Sequence, residues 1–433
     1  MKMREKWILI VFTIISLLLL VGSILFQFLN EEDPYQFYTG LGKDIDISPD
    51  DGTVAFSYYL DGDEAIYTAK LDGSELTKVS SKEEGRFRNP KFSQGTEQLL
   101  FLSEGIDGVQ SLMVMNKDGS HQKRVTDDSL HVKDAVFSPS GETLYFTAKL
   151  SSEINKMEGE TKEGYDLYKI NRDETDLEQL TDQDHFTMNE LSISVDGEEL
   201  YYSLYEVNEQ LTAFSLKDQT ETRVADVNKD MYSSILSKDK KLLAYTAVTK
   251  ASLNSSLFKY ELYLQDLDTT ETKRLTNLNK NIQSPVFFHH ENKLAFLEYT
   301  NWPSDPENYR LMTVSFEGGD EQEINVNLPS STNRHLAMKT VYFLLSNEVA
   351  TAIYYVLFFV GLILLTQRRS GKVFQPSFIS LGLSLLFFIG SFAIGAITNP
   401  WYGIWLAMVA VAMFICSLVL VLFSYIVSKM RKK

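Results

Sequence analysis

Few side chains in this sequence stand at spacings that would let them perform chemistry together. His289 and His290 are adjacent, and adjacent residues of a strand or turn point in different directions, so they do not predict a metal site. Acidic pairs such as Asp44 and Asp46 lack the spacing and the final glutamate of a calcium loop. The sequence has no Gly-x-Ser-x-Gly elbow, no His-Glu-x-x-His, no paired Cys and His ligands and no phosphate-binding glycine loop. We therefore expect no catalytic residue, no cofactor and no bound metal.

A second set of side chains is better suited to binding than to catalysis. Some of them precede the start of a segment that recurs along the chain, namely Arg86, Arg88, His131, Lys133, His185, Asn189, Tyr232 and Gln283. Two more, Phe258 and Trp302, lie in long insertions within that segment. In a radial arrangement of such segments, the linkers that enter each innermost strand share a face with the long loops. We expect these ten residues to surround one opening and to bind a partner there.

The recurring segment is a turn followed by an apolar strand that ends in an aromatic residue. The clearest copy is Phe-Ser-Pro-Ser-Gly-Glu-Thr-Leu-Tyr-Phe at residues 137–146, and the sixth copy begins at Phe288. The closing aromatics are Phe56, Phe101, Phe146, Tyr202, Tyr245 and Phe296. They are 43 to 56 residues apart, which is close to the period of a four-stranded propeller blade. Each copy continues with a loop, an alternating strand, a tight turn and a short fourth strand.

These copies predict an all-β six-bladed β-propeller of four-stranded antiparallel blades over residues 44–326. A single small sheet leaves both faces uncovered, whereas six sheets arranged radially cover each other, with the closing aromatics as wedges between them. The pattern Phe-Ser-Pro-x-Gly-x-x-Leu-x-Phe, followed by Leu-Tyr, Asp-Gly and Leu-Thr, resembles the propeller of the TolB family. The resemblance covers about residues 44–325 and implies a fold. It implies no function, because propellers host many.

Loop lengths indicate which face of the propeller binds. The connections between second and third strands vary and are long at 149–164, 249–259 and 300–308, whereas the other turns are short. Variable loops on a regular scaffold are where binding surfaces usually form. If the sixth blade uses its own fourth strand, both linkers, 31–43 and 327–340, attach on this face and hold it toward the membrane. In the alternative, residues 35–39 complete the last blade and the linkers run differently.

Apolar runs at both ends of the chain predict α-helical transmembrane segments. The runs at 7–28, 341–366, 374–397 and 401–427 are each long enough to cross a bilayer as a helix. No small-residue cleavage site follows the first run, which favours a retained anchor within residues 1–30 over a cleaved signal peptide. Glu348 is the only acidic residue in the four runs.

Charge predicts the orientation of these segments. Of the net charge of −17, the basic clusters beside the apolar runs contribute +9, so the rest of the chain carries −26. The positive-inside rule places the N-terminus, the loop 367–373 and the tail 428–433 in the cytoplasm. The propeller then lies outside, at the cell envelope, in a multi-pass membrane protein. Its acidity argues against a nucleic-acid partner, and the single cysteine, Cys416, lies in an apolar run and has no disulfide partner.

Two classes of function fit this sequence. The first is a non-catalytic, membrane-anchored binding or scaffold protein whose propeller recruits a protein or a cell-envelope component at the membrane. The second is a glycan- or peptide-processing enzyme with its site at the mouth of the propeller channel. The absence of a catalytic constellation favours the first class.

Overall fold

The computed structural model describes residues 3–30, 33–81, 85–156, 160–205, 209–224, 231–332, 335–369 and 372–432. The chain divides into two compact units. One consists of Pro34–Arg334, and the other of Met1–Asp33 together with His335–Lys433.

The first unit contains six four-stranded antiparallel sheets, each built from four strands that are consecutive in the chain. The first sheet consists of β1 Gly40–Ile47, β2 Thr53–Leu60, β3 Asp63–Lys70 and β4 Thr77–Lys78. The second consists of β5 Arg86–Phe92, β6 Gln98–Glu104, β7 Gln110–Asn116 and β8 Lys123–Arg124. The third consists of β9 Leu130–Phe137, β10 Thr143–Leu150, β11 Asp166–Asn171 and β12 Glu178–Gln179. The fourth sheet consists of β13 Asn189–Ile193, β14 Glu199–Tyr205, β15 Glu209–Ser215 and β16 Thr220–Arg223. The fifth consists of β17 Met231–Leu236, β18 Leu242–Val248, β19 Tyr260–Asp266 and β20 Thr272–Arg274. The sixth consists of β21 Asn281–Phe287, β22 Lys293–Tyr299, β23 Tyr309–Ser315 and β24 Gln322–Glu323.

Each sheet packs on the next, and the first packs on the sixth, which closes a ring of six blades. The predicted propeller of four-stranded antiparallel blades is confirmed. The predicted wedges are also where they were expected, because all six closing aromatics are at most 1% exposed. Side chains of this size bury 150–250 Å² each, so they supply much of the apolar contact between neighbouring blades.

Register corrects the sequence prediction in the sixth blade. Phe287 pairs with Leu294, as Phe92 pairs with Leu99 in the second blade. The sixth copy therefore begins at Phe287, one residue before the predicted Phe288. The sequence is ambiguous at this point because His-His-Glu replaces the usual turn motif and both phenylalanines are apolar.

The ring is closed by the sixth blade's own outer strand. β24 pairs with β23, so the alternative in which residues 35–39 complete the last blade is wrong. The seam between the first and sixth blades is held by Asp51, whose carboxylate accepts hydrogen bonds from three successive backbone N–H groups. These are His289 N at 2.7 Å, His290 N at 2.6 Å and Glu291 N at 3.2 Å. The departure from the usual turn in the sixth copy therefore coincides with closure of the ring.

Both ends of the propeller meet at one hairpin of the first blade, the turn between β2 and β3. On the N-terminal side, Tyr38 O accepts a hydrogen bond from Gly62 N at 2.8 Å. On the C-terminal side, Thr332 donates to the Asp61 carboxylate from its backbone N at 3.1 Å and from Oγ1 at 2.7 Å. We call the face with these second-to-third connections the mouth face, and the opposite one the far face. Both chain ends leave the propeller on the mouth face.

The second unit is helical and consists of α1 Met3–Leu29, α2 Leu336–Ser346, α3 Glu348–Arg369, α4 Gln375–Ile397 and α5 Pro400–Lys432. Among the described residues, four helices, all but α2, are long and apolar enough to cross a membrane. The predicted single run at 341–366 is divided, because α2 ends before Asn347 and α3 begins after it. Helices α4 and α5 approach closely at Gly395 and Gly403, as expected for small residues at a helix interface.

Candidate functional site

A bulge in the inner strand of every blade shapes the centre of the propeller. At each bulge the pairing of the inner strand with the second strand shifts. One polar residue stands there in each blade, three positions before the apolar residue that opens the recurring turn. The six residues are Asp44, Asn89, Asp134, Glu190, Ser233 and Ser284, and all of them line one central cavity. Four of them, Asn89, Glu190, Ser233 and Ser284, have φ between 46° and 60°, in the left-handed region.

The cavity has a volume of about 660 Å³. Three of its lining side chains and the backbone of Leu191 form one network. Lys91 Nζ lies 2.7 Å from Asp134 Oδ1 and donates to Leu191 O at 2.8 Å. Asp134 also accepts from Asn89 Nδ2 at 2.8 Å and from Leu191 N at 2.6 Å. This network joins the second, third and fourth blades across the wall of the cavity.

The wall formed by the first three blades is rich in cations. Arg88 is paired twice, with Glu64 at 2.8 Å and with Glu104 at 2.9 Å. Lys43 and Lys133 also line this wall. Desolvation, followed by the charge of Lys43, lowers the pKa of Lys133 below the usual lysine value.

The wall formed by the fourth blade carries two carboxyl groups, Glu190 and Glu209. Ser203 Oγ donates to Glu190 Oε2 at 3.3 Å, and Ser234 Oγ donates to Glu209 Oε1 at 3.3 Å. The two hydroxyls are 2.9 Å apart. Burial raises the pKa of both carboxyls, and the charge of Glu209 raises that of Glu190 further.

The fifth and sixth blades contribute aromatic and amide groups. Tyr260 packs edge-on against Tyr232 at 5.3 Å between ring centroids and against Trp302 at 6.3 Å. Trp302 Nε1 donates to Phe258 O at 3.1 Å, which fixes the indole at the mouth. Gln283 Oε1 accepts a hydrogen bond from Tyr309 at 3.1 Å. The cavity thus has a cationic, an anionic and an aromatic sector.

Comparison with solved structures identifies the fold of the first unit. The crystal structure of TolB from Acinetobacter baumannii matches with a TM-score of 0.50 and 16% identity, over 65% of this chain and 65% of that chain. The domain is a TolB-like propeller. This chain spans less than two thirds of that TolB chain, and at this identity the likeness establishes the fold alone.

Other solved structures match less closely. A putative TolB from Agrobacterium tumefaciens has a TM-score of 0.46 and 16% identity, over 58% of this chain and 84% of that chain. An oligogalacturonate lyase from Vibrio parahaemolyticus has a TM-score of 0.46 and 10% identity, over 64% of this chain and 91% of that chain. No family model matches the sequence, and no curated protein matches it.

Six of the ten predicted binding residues line the cavity of the TolB-like propeller: Arg88, Lys133, Asn189, Tyr232, Gln283 and Trp302. The other four lie outside it. Arg86 sits over the Tyr59 ring at 5.9 Å, and Phe258 is exposed on the mouth face.

The two predicted histidines outside the cavity hold loops in place. His131 Nδ1 accepts a hydrogen bond from Gln110 N at 3.2 Å, and burial lowers the pKa of His131 to about 4. His185 Nε2 lies 3.4 Å from Glu221 Oε1, and the His185 backbone pairs with Tyr165. In the described ranges, no group of three or more His, Cys, Asp or Glu side chains could hold a metal ion.

Sequence reasoning missed the acidic pair and the ring of bulge residues. The signal for the ring is present in the sequence, because every copy has a polar residue three positions before its first apolar residue once the sixth copy starts at Phe287. Glu209 has no such signal. It begins the third strand of its blade, and only the closed ring brings it to the cavity.

Exposed apolar side chains of the TolB-like propeller are concentrated around the mouth. Among the described residues, six of its exposed large hydrophobics belong to the mouth face: Ile106, Leu150, Phe186, Tyr205, Leu253 and Phe258. Two, Leu177 and Val195, belong to turns of the far face. Ile106 is 96% exposed and Phe186 78%. We call the six residues the mouth rim.

Proposed function

We propose that this protein is a non-catalytic, membrane-anchored binding protein whose propeller recruits a protein partner through its mouth face. The observation that carries the proposal is the one-sided distribution of exposed apolar side chains. Clustered apolar residues around a polar centre are typical of protein interaction sites. The far face, with two exposed large hydrophobics among the described residues, has no comparable cluster.

The proposed setting of this site is the outer surface of a cell membrane. Four helices of sufficient length and apolar character support insertion, and the basic clusters beside them support cytoplasmic termini with an external propeller. Both chain ends leave the propeller on the mouth face, which favours a partner in or at the membrane. Protease added to whole cells tests the orientation. It should cut within residues 34–334 and leave the termini intact.

The alternative is an enzyme that processes envelope glycans or peptides at the same mouth. The Glu190 and Glu209 carboxyls favour it, because a general acid with a raised pKa is common to such reactions. The enzyme would require both groups for turnover. Loss of a measured turnover in Glu190→Gln and Glu209→Gln, with partner capture intact, would favour this alternative.

Co-purification from membranes in mild detergent tests the binding proposal. A mouth variant with Ile106, Phe186 and Phe258 replaced by Ser removes exposed apolar groups without touching the described core clusters. A far-face variant with Leu177 and Val195 replaced by Ser is the matched control. We expect the mouth variant to lose a protein that both the wild type and the far-face variant retain. Equal recovery of the same proteins with all three would refute the proposal.

A further inference from the structure

Charges in the propeller cavity fall into two groups that differ in their pairing. Arg88 is neutralised by Glu64 and Glu104, and Lys91 by Asp134. These ion pairs link strands of the first three blades to one another. Within the described part of the chain, five more charged residues line the cavity, and none of them forms an ion pair: Lys43, Asp44, Lys133, Glu190 and Glu209.

Two of the three unpaired carboxyls are gathered on one blade, and the third, Asp44, lies on the first blade next to Lys43 in the chain. Glu190 and Glu209 both belong to the fourth blade, and their described hydrogen-bond partners include the Ser203 and Ser234 hydroxyls but no cationic side chain. Two half-buried carboxyl groups next to each other repel when both are ionised. A positively charged group placed between them would relieve that repulsion. This wall is therefore complementary to an ammonium or guanidinium group.

The unpaired lysines lie toward the other side of the ring. The charges with the largest influence on Lys133 are Lys43, Asp44, Asp134 and Arg88, all from the first three blades. The two lysines do not neutralise the acidic pair of the fourth blade. Asp44 in the same wall offsets one of the two positive charges. The other makes the wall complementary to a carboxylate, because an ammonium group in a partly desolvated cavity gains from an anionic hydrogen-bond partner.

We propose that the cavity is a binding site for a zwitterionic ligand, with its cationic group on Glu190 and Glu209 and its carboxylate on Lys43 and Lys133. The volume of about 660 Å³ lies within the range of sites for small molecules and peptide segments. The aromatic sector of Tyr232, Tyr260 and Trp302 supplies the apolar contact between the two charged ends. This inference rests on the proposed binding function and names the chemistry of what enters the mouth. The ligand is either a free zwitterion or a segment of the partner that carries a basic and an acidic side chain.

End-capped peptides test the inference on the full chain in detergent. The series is acetyl-Lys-(Gly)n-Asp-amide with glycine spacers of increasing length, alongside forms in which Gln replaces Lys or Asn replaces Asp. Calorimetric titration measures binding of each. We expect each neutral replacement to weaken the best binder by about 10–100-fold, the usual range for a hydrogen bond to a charged group. In Glu209→Gln the Lys and Gln forms should bind alike, and in Lys133→Met the Asp and Asn forms should bind alike.

Controls separate this inference from a folding defect and from the proposed function. Glu97→Gln and Lys78→Met change exposed charges away from the cavity, and should leave peptide binding and the thermal midpoint unchanged. If no peptide binds but partner capture is lost in both Glu209→Gln and Lys133→Met, the ligand is a segment of the partner. Capture that persists in both variants without any peptide binding overturns the inference and leaves the proposed function standing. Peptides that bind without regard to charge also overturn it.

Discussion

Replacement of Asp51 by Asn should open the seam between the first and sixth blades. The carboxylate accepts three backbone N–H groups of the sixth blade, at 2.6 to 3.2 Å. A hydrogen bond to a charged group contributes a net ~1.5–3 kcal/mol, and Asn keeps the shape of the side chain but has one acceptor oxygen and no charge. Because His290 and Glu291 are exposed, water replaces part of what is lost. We expect the free energy of opening the seam to fall by about 2 kcal/mol.

Hydrogen exchange followed by mass spectrometry on the full chain measures this opening. A fall of about 2 kcal/mol corresponds to roughly 30-fold faster exchange of amides that open with the seam. The acceleration should be confined to peptides from the inner strands of the first and sixth blades, β1 and β21. The shared apolar core of these blades, which includes Ile47 and Leu297, keeps the ring folded.

The neighbouring Asp50 provides the control for this prediction. Its carboxylate accepts hydrogen bonds from Ser48 and Gly52 in its own turn and from no described residue of the sixth blade. Asp50→Asn should therefore leave exchange at β21 unchanged. The reasoning is refuted if Asp51→Asn and Asp50→Asn change exchange at β21 equally, or if the third blade is accelerated as much as the seam.

Three further predictions concern other parts of the chain. Gly73→Ala should lower the free energy of unfolding by about 2–4 kcal/mol, because φ at Gly73 is +82° and an added Cβ would lie 1.8 Å from Asn325 O. Thermal unfolding followed by circular dichroism measures this loss of stability. His131 is held neutral by burial, with a pKa of about 4 against an ordinary 6.5, so its contribution to stability is complete above pH 6.5 and is lost as pH falls toward 4. The difference in unfolding free energy between wild type and His131→Gln, measured by denaturant titration, should shrink by roughly 1–2 kcal/mol over that window. Gly403→Leu should separate α4 from α5, because a Cβ at Gly403 would lie 2.8 Å from Gly395 Cα; a lower yield of a disulfide engineered between the two helices measures this.

The propeller could be predicted from sequence because its signals are local and repeated. Each blade repeats a turn, an apolar strand and a closing aromatic, and wedges such as Phe56 and Phe146 are buried for the same reason in every copy. The sixth blade is less regular. Its turn is completed by Asp51, which belongs to the first blade. No local pattern therefore distinguishes Phe287 from Phe288 as the start of the sixth copy.

The functional site was harder to predict because it depends on contacts between distant residues. Tyr232 and Trp302 were expected at the opening and do line the cavity. This could be predicted because the linker that leads to Tyr232 and the long loop that carries Trp302 lie on the same face of a propeller. Glu190 and Glu209 lie on the first and third strands of one blade, with β14 between them, and only the bulge and the closed ring bring both to the axis. The break between α2 and α3 at Asn347 was also not predicted, because one amide side chain within an apolar run does not by itself end a helix.

Site-specific photo-crosslinking in intact membranes tests the central claim, that the mouth face binds a protein. A photoreactive residue is placed at Ile106 or Phe258 on the mouth rim, and at Val195 on the far face as the control. The account predicts that both rim positions give the same protein adduct and that Val195 does not. Adducts of equal yield from all three positions, or no protein adduct from either rim position, would contradict it.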